Sequence, residues 1–242
     1  MRVAHLVGPP TLSDLYLRSG LYTIKPEEAA AALLHDGAGD PADHAEAYAE
    51  VRERFEAAVA ASGRAYPDYW EVEDRTAQLL YTLVRSLKPS LVFEIGVADG
   101  RSTSTILGAL DANERGRLVS VDITADVGRA LAGHPRWELR LRPPAKTSAA
   151  VLRQLLAEYG PPELFFHDAA HTYYDQYADY LAAIDHMLPG GVIVSDDVDL
   201  SWAFLDFTRA YGVSPTVLVD RRKATGALVR PRLAEDGRRA HR

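Results

Sequence analysis

The sequence has no cysteine among its 242 residues. This absence excludes disulfides, cysteine-ligated zinc, iron–sulfur clusters and thiol nucleophiles. An excess of positive charge is also absent, since 34 acidic residues outnumber 27 basic ones and the formal net charge is −7. The chain therefore lacks the overall basic field with which many proteins bind nucleic acid or anionic lipid, and we expect neither as a partner.

Long apolar runs are missing as well. No uninterrupted apolar stretch approaches the roughly 20 residues that span a bilayer, and the first ten residues lack the apolar core and cleavage site of a signal peptide. We therefore expect a cytoplasmic protein that is not inserted in a membrane. Hydrophobic residues nevertheless make up 47% of the chain, which is enough for a sizeable core in one α/β domain.

The first seventy residues differ in pattern from the rest of the chain. They contain two helical segments rich in Ala and Glu, Pro26–Leu34 and Ala42–Ala61, separated by a loop with Gly and Pro. We interpret residues 1–70 as a helical extension or lid and residues 71–230 as the main domain. Residues 231–242 form a charged tail without periodicity, which we expect to be disordered. The helices of the extension could also form an interface in a homo-oligomer.

From Glu71 onward, short apolar runs alternate with segments of helical periodicity. This alternation predicts a doubly wound α/β fold, with a mostly parallel seven-stranded sheet and helices on both faces. The polar turn Asp220–Lys223 predicts a C-terminal hairpin, which adds one antiparallel strand. The seven predicted strands are Leu91–Ile95, Leu118–Val121, Trp137–Leu141, Leu164–Phe166, Val192–Val194, Thr216–Val219 and Gly226–Val229.

A glycine-containing turn follows the first predicted strand, in Glu94-Ile-Gly96-Val-Ala-Asp-Gly100-Arg-Ser102. Glycine permits a tight turn and lets a ligand approach the backbone closely. The helix that follows offers free N–H groups and the positive end of its dipole, which suits the carboxylate of an amino-acid-like ligand. Asp122, at the end of the second strand, suits the two hydroxyls of a ribose.

Three aspartates follow two strands further along the chain. Asp168 comes after the fourth predicted strand, and Asp196 and Asp197 come after the fifth. Three carboxylates in one cleft repel each other and stay ionised together only if a cation neutralises them. Oxygen ligands favour Mg²⁺, with Mn²⁺ or Ca²⁺ as alternatives. The competing interpretation is that these acids are solvated and cap the helices that follow.

These motifs resemble a broad family and a narrower group within it. The pattern Glu-x-Gly-x-x-x-Gly-x-Ser, followed by an acid after the second strand, is similar to the first two motifs of class I methyltransferases that use S-adenosylmethionine (SAM). The segments Phe166–Tyr174 and Leu188–Asp197 resemble the metal-dependent O-methyltransferases related to catechol O-methyltransferase and to the macrolide-sugar O-methyltransferases. The resemblance covers residues 71–229 and implies methyl transfer to a hydroxyl of a small molecule.

The resemblance also implies roles for individual residues. The implied SAM-binding residues are Glu94, Gly96, Gly100, Ser102, Asp122, Ser148 and Asp168. The implied metal ligands are Asp168, Asp196 and Asp197. His171 would be the general base, because the macrolide-sugar enzymes have a histidine where the catechol-type enzymes have a lysine. Many relatives hold the adenine side of SAM with a Gly-Asp-Ser run, and in Pro144–Ser148 only Ser148 matches it.

His171 favours a natural-product sugar or another vicinal diol as the acceptor, with a catechol-type phenol as the next candidate. The aromatic residues that could line an acceptor pocket are Tyr66, Tyr69, Trp70, Tyr173 and Trp202. Two other functional classes stay open. One is an NAD(P)-dependent oxidoreductase, although its fingerprint Gly-x-Gly-x-x-Gly differs from the four-residue glycine spacing seen here. The other is a non-catalytic binding protein that keeps the fold.

Overall fold

The structure is a computed structural model that describes residues 8–34 and 44–232. The loop predicted at residues 36–41 lies outside the described residues. Residues 233–242 of the tail that was predicted to be disordered also lie outside them. None of the helices in the described ranges is both long and apolar enough to cross a bilayer.

The described residues form eight α-helices, eight strands and two short 3-10 helices. The α-helices are α1 (Leu12–Arg18), α2 (Pro26–Leu33), α3 (Ala45–Ser62), α4 (Asp74–Leu87), α5 (Arg101–Ala112), α6 (Ser148–Tyr159), α7 (Tyr173–His186) and α8 (Ala203–Tyr211). The strands are β1 (Leu21–Thr23), β2 (Leu91–Ile95), β3 (Arg117–Asp122), β4 (Trp137–Leu141), β5 (Leu164–His167), β6 (Val192–Ser195), β7 (Thr216–Val219) and β8 (Ala224–Val229). The 3-10 helices are Asp68–Trp70 and Arg129–Leu131.

All eight strands belong to one sheet, in the order β1-β7-β8-β6-β5-β2-β3-β4. Strand β8 runs antiparallel to β6 and β7, and the other pairings are parallel. The predicted doubly wound fold and its C-terminal hairpin are therefore confirmed. The sheet has one strand more than predicted, because Leu21–Thr23 of the extension pairs with β7 at the edge. A three-residue strand is too short to show a periodic pattern, which is why the sequence did not predict it.

Two hydrophobic cores cover the two faces of the sheet. Side chains that alternate along β2 enter different cores: Phe93 and Ile95 pack with α6, α7 and α8, whereas Val92 packs with α2 to α5. Neighbouring strands repeat this division, with Phe165 in the first core and Phe166 in the second. Because both faces are covered, the central strands are continuous apolar runs, as parallel sheets require.

The N-terminal extension packs against this same structure. Helix α3 crosses α5 so closely that a Cβ added to Gly108 would lie 2.7–2.8 Å from the methyl groups of Val51. The side chain of Asp99, in the turn after β2, accepts hydrogen bonds from the backbone N–H groups of Ala65 at 2.9 Å and Tyr66 at 3.2 Å. These contacts bring the end of the extension to the carboxyl edge of the sheet, while the boundary at residue 70 stays a prediction.

Candidate active site

A cavity of about 850 Å³ opens at the carboxyl ends of the parallel strands, where open α/β sheets bind their ligands. Six of the residues that the sequence singled out as site residues line this cavity, and four do not. The lining residues are Gly96, Asp122, Ser148, Asp168, His171 and Asp197. The residues that do not line it are Glu94, Gly100, Ser102 and Asp196.

The turn after β2 lies directly against the turn after β5. Gly96 has a φ of +88°, in the left-handed region that favours glycine. A Cβ at this position would lie only 1.7 Å from the carbonyl oxygen of Asp168. Glycine is therefore required both by the backbone conformation and by the close approach. The contact places the glycine turn beside Asp168, so that one cavity contains both.

Asp122 fixes the glycine turn against the end of β3. Its Oδ2 atom accepts a hydrogen bond from the backbone N–H of Val97 at 3.0 Å. Its Oδ1 atom accepts from the N–H groups of Ile123 at 2.7 Å and Thr124 at 3.2 Å. A carboxylate has about four acceptor positions, so Asp122 retains the capacity to accept hydroxyls of a ligand in the cavity.

Glu94, for which the resemblance implied a role in SAM binding, does not line the cavity. Its carboxylate is fully buried and accepts hydrogen bonds from the hydroxyls of Ser102 at 2.6 Å, Thr103 at 2.7 Å and Ser120 at 2.6 Å. Burial raises the pKa of Glu94 to about 7 in spite of these three donors. Glu94 and Ser102 therefore join β2, β3 and α5 inside the protein.

The substitution Glu94→Gln is expected to change how stability depends on pH. Folded Glu94 keeps its proton up to about pH 7, whereas a glutamate of ordinary pKa 4.5 releases it sooner. This carboxyl therefore stabilises the fold at low pH, and its contribution is lost as the pH rises through the folded pKa. Glutamine does not titrate, so the free energy of unfolding of the variant should rise relative to wild type between about pH 5 and about pH 8. Urea unfolding at each pH measures the difference, and a difference that is independent of pH would contradict the prediction.

Glu71, which the sequence analysis did not single out, occupies the start of α5. Its buried carboxylate accepts hydrogen bonds from the backbone N–H groups of Asp99 at 2.7 Å and Arg101 at 2.8 Å. One of the helix N–H groups that were expected to be free for a ligand carboxylate, that of Arg101, is therefore bound by the protein itself. A single glutamate ahead of the first helix of the domain gives no sequence signal for this contact.

The segment that follows β4 lines another part of the cavity. Arg142 and residues 144–148 contribute to its wall. The Ser148 hydroxyl donates to the buried carboxylate of Asp179, at 2.7 Å and 2.8 Å from its two oxygens. Asp179 Oδ2 also lies 3.2 Å from His167 Nε2. Since the hydroxyl proton of Ser148 points into the protein, only its oxygen lone pairs are available to a ligand.

Three of the five aromatic residues predicted for an acceptor pocket line the cavity, namely Tyr66, Tyr69 and Trp70. The other two are used elsewhere. The Tyr173 ring stacks on that of Tyr177, with ring centres 5.8 Å apart. The indole N–H of Trp202 donates to the backbone carbonyl of Gly8 at 2.7 Å. Only the aromatic residues at the end of the extension are therefore positioned to contact a ligand.

The structure brings together Asp168, His171 and Asp197 at the other end of the cavity. One ligand atom from each of these side chains lies within 4.8 Å of the others. His171 Nε2 is 3.3 Å from Asp197 Oδ2 and 3.8 Å from Asp168 Oδ1. Asp196, the third predicted metal ligand, is fully buried and does not line the cavity. It pairs with Lys223. The predicted trio is thus divided, and His171 joins the two aspartates that face the cavity.

The charges in this cluster are not balanced. The side chain of Asp168 has no hydrogen-bond partner among the described residues, and burial together with the Asp196 carboxylate raises its pKa well above the usual range. Burial lowers the pKa of His171 to about 4, so its imidazole is neutral at pH 7. When the three aspartates are ionised, the Lys223 ammonium leaves the cluster with two negative charges. One divalent cation would neutralise them.

Residues 93–198 match the model of a methyltransferase domain family. This stretch includes the glycine turn, Asp122 and the acidic cluster up to Asp197. Over this stretch the chain is similar to a methyltransferase domain. The match and the sheet order described above agree with a Rossmann-like methyltransferase fold.

Solved structures of methyltransferases share the fold of this chain. An O-methyltransferase from Bacillus cereus in complex with SAH has 21% sequence identity and a TM-score of 0.56, over 75% of this chain and 90% of that one. A methyltransferase from Podospora anserina bound to SAH has 17% identity and a TM-score of 0.55, over 77% and 94%. An O-methyltransferase from Streptomyces achromogenes involved in tomaymycin synthesis, in complex with SAM, has 22% identity and a TM-score of 0.54, over 76% and 89%. No curated protein matches the sequence significantly.

Proposed function

We propose that this chain is a SAM-dependent, metal-assisted O-methyltransferase that acts on a hydroxyl of a small molecule, with a natural-product sugar or another vicinal diol as the favoured acceptor. The observation that carries the proposal is one cavity that joins Gly96 and Asp122 to Asp168, His171 and Asp197. Its volume is in the range of small-molecule sites. The O-methyltransferases of the same fold that were solved with SAM or SAH support this proposal.

The end of the cavity near β2 and β3 fits SAM. SAM supplies a methyl group that is already activated on a sulfonium. Asp122 would accept the ribose hydroxyls, and the missing side chain at Gly96 would let the ligand lie against the backbone. The rings of Tyr66 and Trp70, whose centres lie 5.7 Å apart, cover this region and would exclude water from it.

The acidic end of the cavity fits a divalent cation. The Asp168 carboxylate lines the cavity and accepts no hydrogen bond from the residues that the structure describes, which is costly for a largely buried charge unless a cation compensates it. Mg²⁺ prefers oxygen ligands, so Asp168 and Asp197 would hold it. A cation bound there would lower the pKa of an acceptor hydroxyl and stabilise the oxygen as it becomes negative.

His171 would accept the proton of the acceptor hydroxyl at Nε2. The Nδ1 atom is buried and has no hydrogen-bond partner, whereas the side chain as a whole keeps 27% of its surface exposed and lines the cavity. The neutral imidazole is the form that can accept a proton at pH 7. Because imidazole suits transition metals better than Mg²⁺, a magnesium site would leave Nε2 free for this role.

A catechol-type phenol is the second candidate acceptor. It offers the same pair of vicinal oxygens as a sugar diol, and it adds an aromatic ring. Tyr69 and Trp70 line the cavity and are 57% and 52% exposed, so their rings are available for stacking. Incubation with SAM, Mg²⁺ and either catechol or a methyl glycoside, with SAH formation as the readout, distinguishes the two acceptor classes.

The substitution Asp122→Asn tests the SAM site. We expect wild type to bind SAM in isothermal titration calorimetry and Asp122→Asn to bind it about ten-fold more weakly, because one charged acceptor of the ribose is lost. Asp126→Asn is the matched control, since Asp126 lies near this turn but does not line the cavity. Absence of SAM binding to wild type at millimolar concentration would overturn the proposed function. Equal affinities of the two variants would overturn only the role of Asp122.

A further inference from the structure

Lys223 is a buried cation inside the acidic cluster. It is the last residue of the turn between β7 and β8, and only 8% of the residue is exposed. Its Nζ atom lies 3.0 Å from Asp196 Oδ2 and 3.1 Å from Asp197 Oδ2. Lysine is rarely buried unless its charge is paired, so these two contacts explain its position.

Both aspartates reach the same ammonium because of the backbone between them. Consecutive residues of a strand point to opposite faces of the sheet. Asp197 comes after the end of β6 and has a φ of +53°, a left-handed conformation that is uncommon outside glycine. This turn lets Asp196 and Asp197 converge on Lys223, and such local strain is typical of functional sites.

Asp196 is enclosed by the protein and does not line the cavity. Its Oδ2 atom accepts from Lys223, its Oδ1 atom accepts from the Thr225 hydroxyl at 2.9 Å, and none of its surface is exposed. Asp168 and Asp197, in contrast, line the cavity together with Lys223. The cluster therefore consists of three kinds of carboxylate. Asp196 is bound to Lys223 and Thr225 away from the cavity, Asp197 is paired with Lys223 and lines the cavity, and Asp168 lines the cavity without a hydrogen bond from any described residue.

We propose that Lys223 pairs with Asp196 and thereby prevents Asp196 from acting as a metal ligand. Its positive charge also leaves the cluster with two negative charges, which one divalent ion neutralises. This inference rests on the proposed function, because it concerns the metal site of the same cavity. Asp196 then acts as the counter-ion of Lys223. Asp168 and Asp197 bind the metal. Lys223 is a positioning residue that holds Asp197 through the hydrogen bond to its Oδ2 atom.

Mn²⁺ binding, measured by electron paramagnetic resonance of the free ion, tests the proposal without an activity assay. Asp196→Asn removes one of the two carboxylates paired with Lys223, so that the ammonium repels a metal ion at Asp197 more strongly, and we expect the Mn²⁺ dissociation constant to rise about ten-fold or more. The double variant Asp196→Asn/Lys223→Met removes both charges and should return to within about three-fold of wild type, because two metal ligands remain and the net charge is restored. Replacing a buried ion pair by an uncharged pair is often tolerated, which favours folding of the double variant.

Two matched variants make the comparison specific. Asp196→Asn/Arg221→Met removes a positive charge from the same turn but outside the cavity lining, and it should not restore Mn²⁺ binding. Asp197→Asn/Lys223→Met removes a true ligand, and it should also stay weak. Thermal unfolding of each variant confirms that it is folded.

The proposal is overturned if Asp196→Asn/Lys223→Met binds Mn²⁺ as weakly as Asp197→Asn/Lys223→Met, since Asp196 would then be a metal ligand. It is also overturned if Asp196→Asn alone binds as tightly as wild type. If wild type and all variants fail to bind Mn²⁺, both the metal dependence and the role of Lys223 are rejected. SAM titration of the same samples then shows separately whether the methyltransferase proposal survives.

Discussion

Replacing Asp168 by asparagine is expected to lower kcat by about 100- to 1,000-fold and at the same time to make the protein more stable. The loss of activity follows from the position of this carboxylate beside His171, where it would hold the cation that stabilises the acceptor oxygen. The gain of stability follows from its lack of any hydrogen-bond partner in the part of the chain that the structure describes. Asparagine has nearly the same shape but removes the buried charge.

The two effects of Asp168→Asn need separate measurements. Methyl transfer under saturating SAM and Mg²⁺ gives kcat, and thermal unfolding in the presence of a chelator gives the stability of the metal-free protein. SAM titration should show an affinity close to that of wild type, which separates a catalytic role from a failure to bind the cofactor.

Asp179→Asn is the matched control for stability. Asp179 is also a buried aspartate, but it accepts from the Ser148 hydroxyl and lies 3.2 Å from His167 Nε2. Asp179→Asn should therefore destabilise the fold, in the direction opposite to Asp168→Asn. Full activity of Asp168→Asn would contradict the catalytic role of this carboxylate. A loss of stability in both variants would contradict the view that Asp168 is uncompensated.

The substitution Gly96→Ala is expected to produce the largest loss of stability at the site. The left-handed conformation alone costs an L-residue about 1–2 kcal/mol. The added Cβ would also lie 1.7 Å from the carbonyl oxygen of Asp168, so the two turns would have to separate. Overpacking of this kind adds about 1–3 kcal/mol or more, and the separation would also displace Asp168 from the cavity.

Gly212→Ala separates the cost of the left-handed backbone from the cost of the clash. Gly212 is left-handed, with a φ of +64°, but a Cβ there would meet no atom within 4 Å. Urea unfolding should therefore show a loss of only about 1–2 kcal/mol for Gly212→Ala and a much larger loss for Gly96→Ala. Equal losses in the two variants would contradict the close approach of the β2 and β5 turns.

Glu94 and Ser102 belong to the glycine-turn motif but do not line the cavity. Both fall in the glycine-turn pattern that resembles a SAM-binding motif, and both were therefore expected at the cofactor. The structure instead places Glu94 among three hydroxyls on the face of the sheet covered by α5. A motif specifies residue types and their spacing. The groups that a carboxylate contacts depend in addition on the side chains that pack against its face of the sheet.

Glu71 and Lys223 are residues of the site region that no sequence motif indicated. Glu71 reaches the start of α5 across 28 to 30 residues of sequence, and Lys223 reaches Asp196 across 27. A lysine in a polar turn is normally solvated, so the sequence predicted only the hairpin around it. Its burial results from the antiparallel pairing of β8 with β6, which brings the turn back to the strand-end aspartates.

The sequence by itself determined the alternation of strands and helices, the terminal hairpin and the edge of the sheet at which the polar residues collect. These follow from local periodicity and from the rule that parallel strands end at one edge. Only the tertiary structure decided which carboxylates face the cavity, which are neutralised by Lys223 or by hydroxyls, and which stay unpaired. The reason is that the charge of a buried group depends on neighbours that are distant in the chain, and no local pattern encodes their contacts.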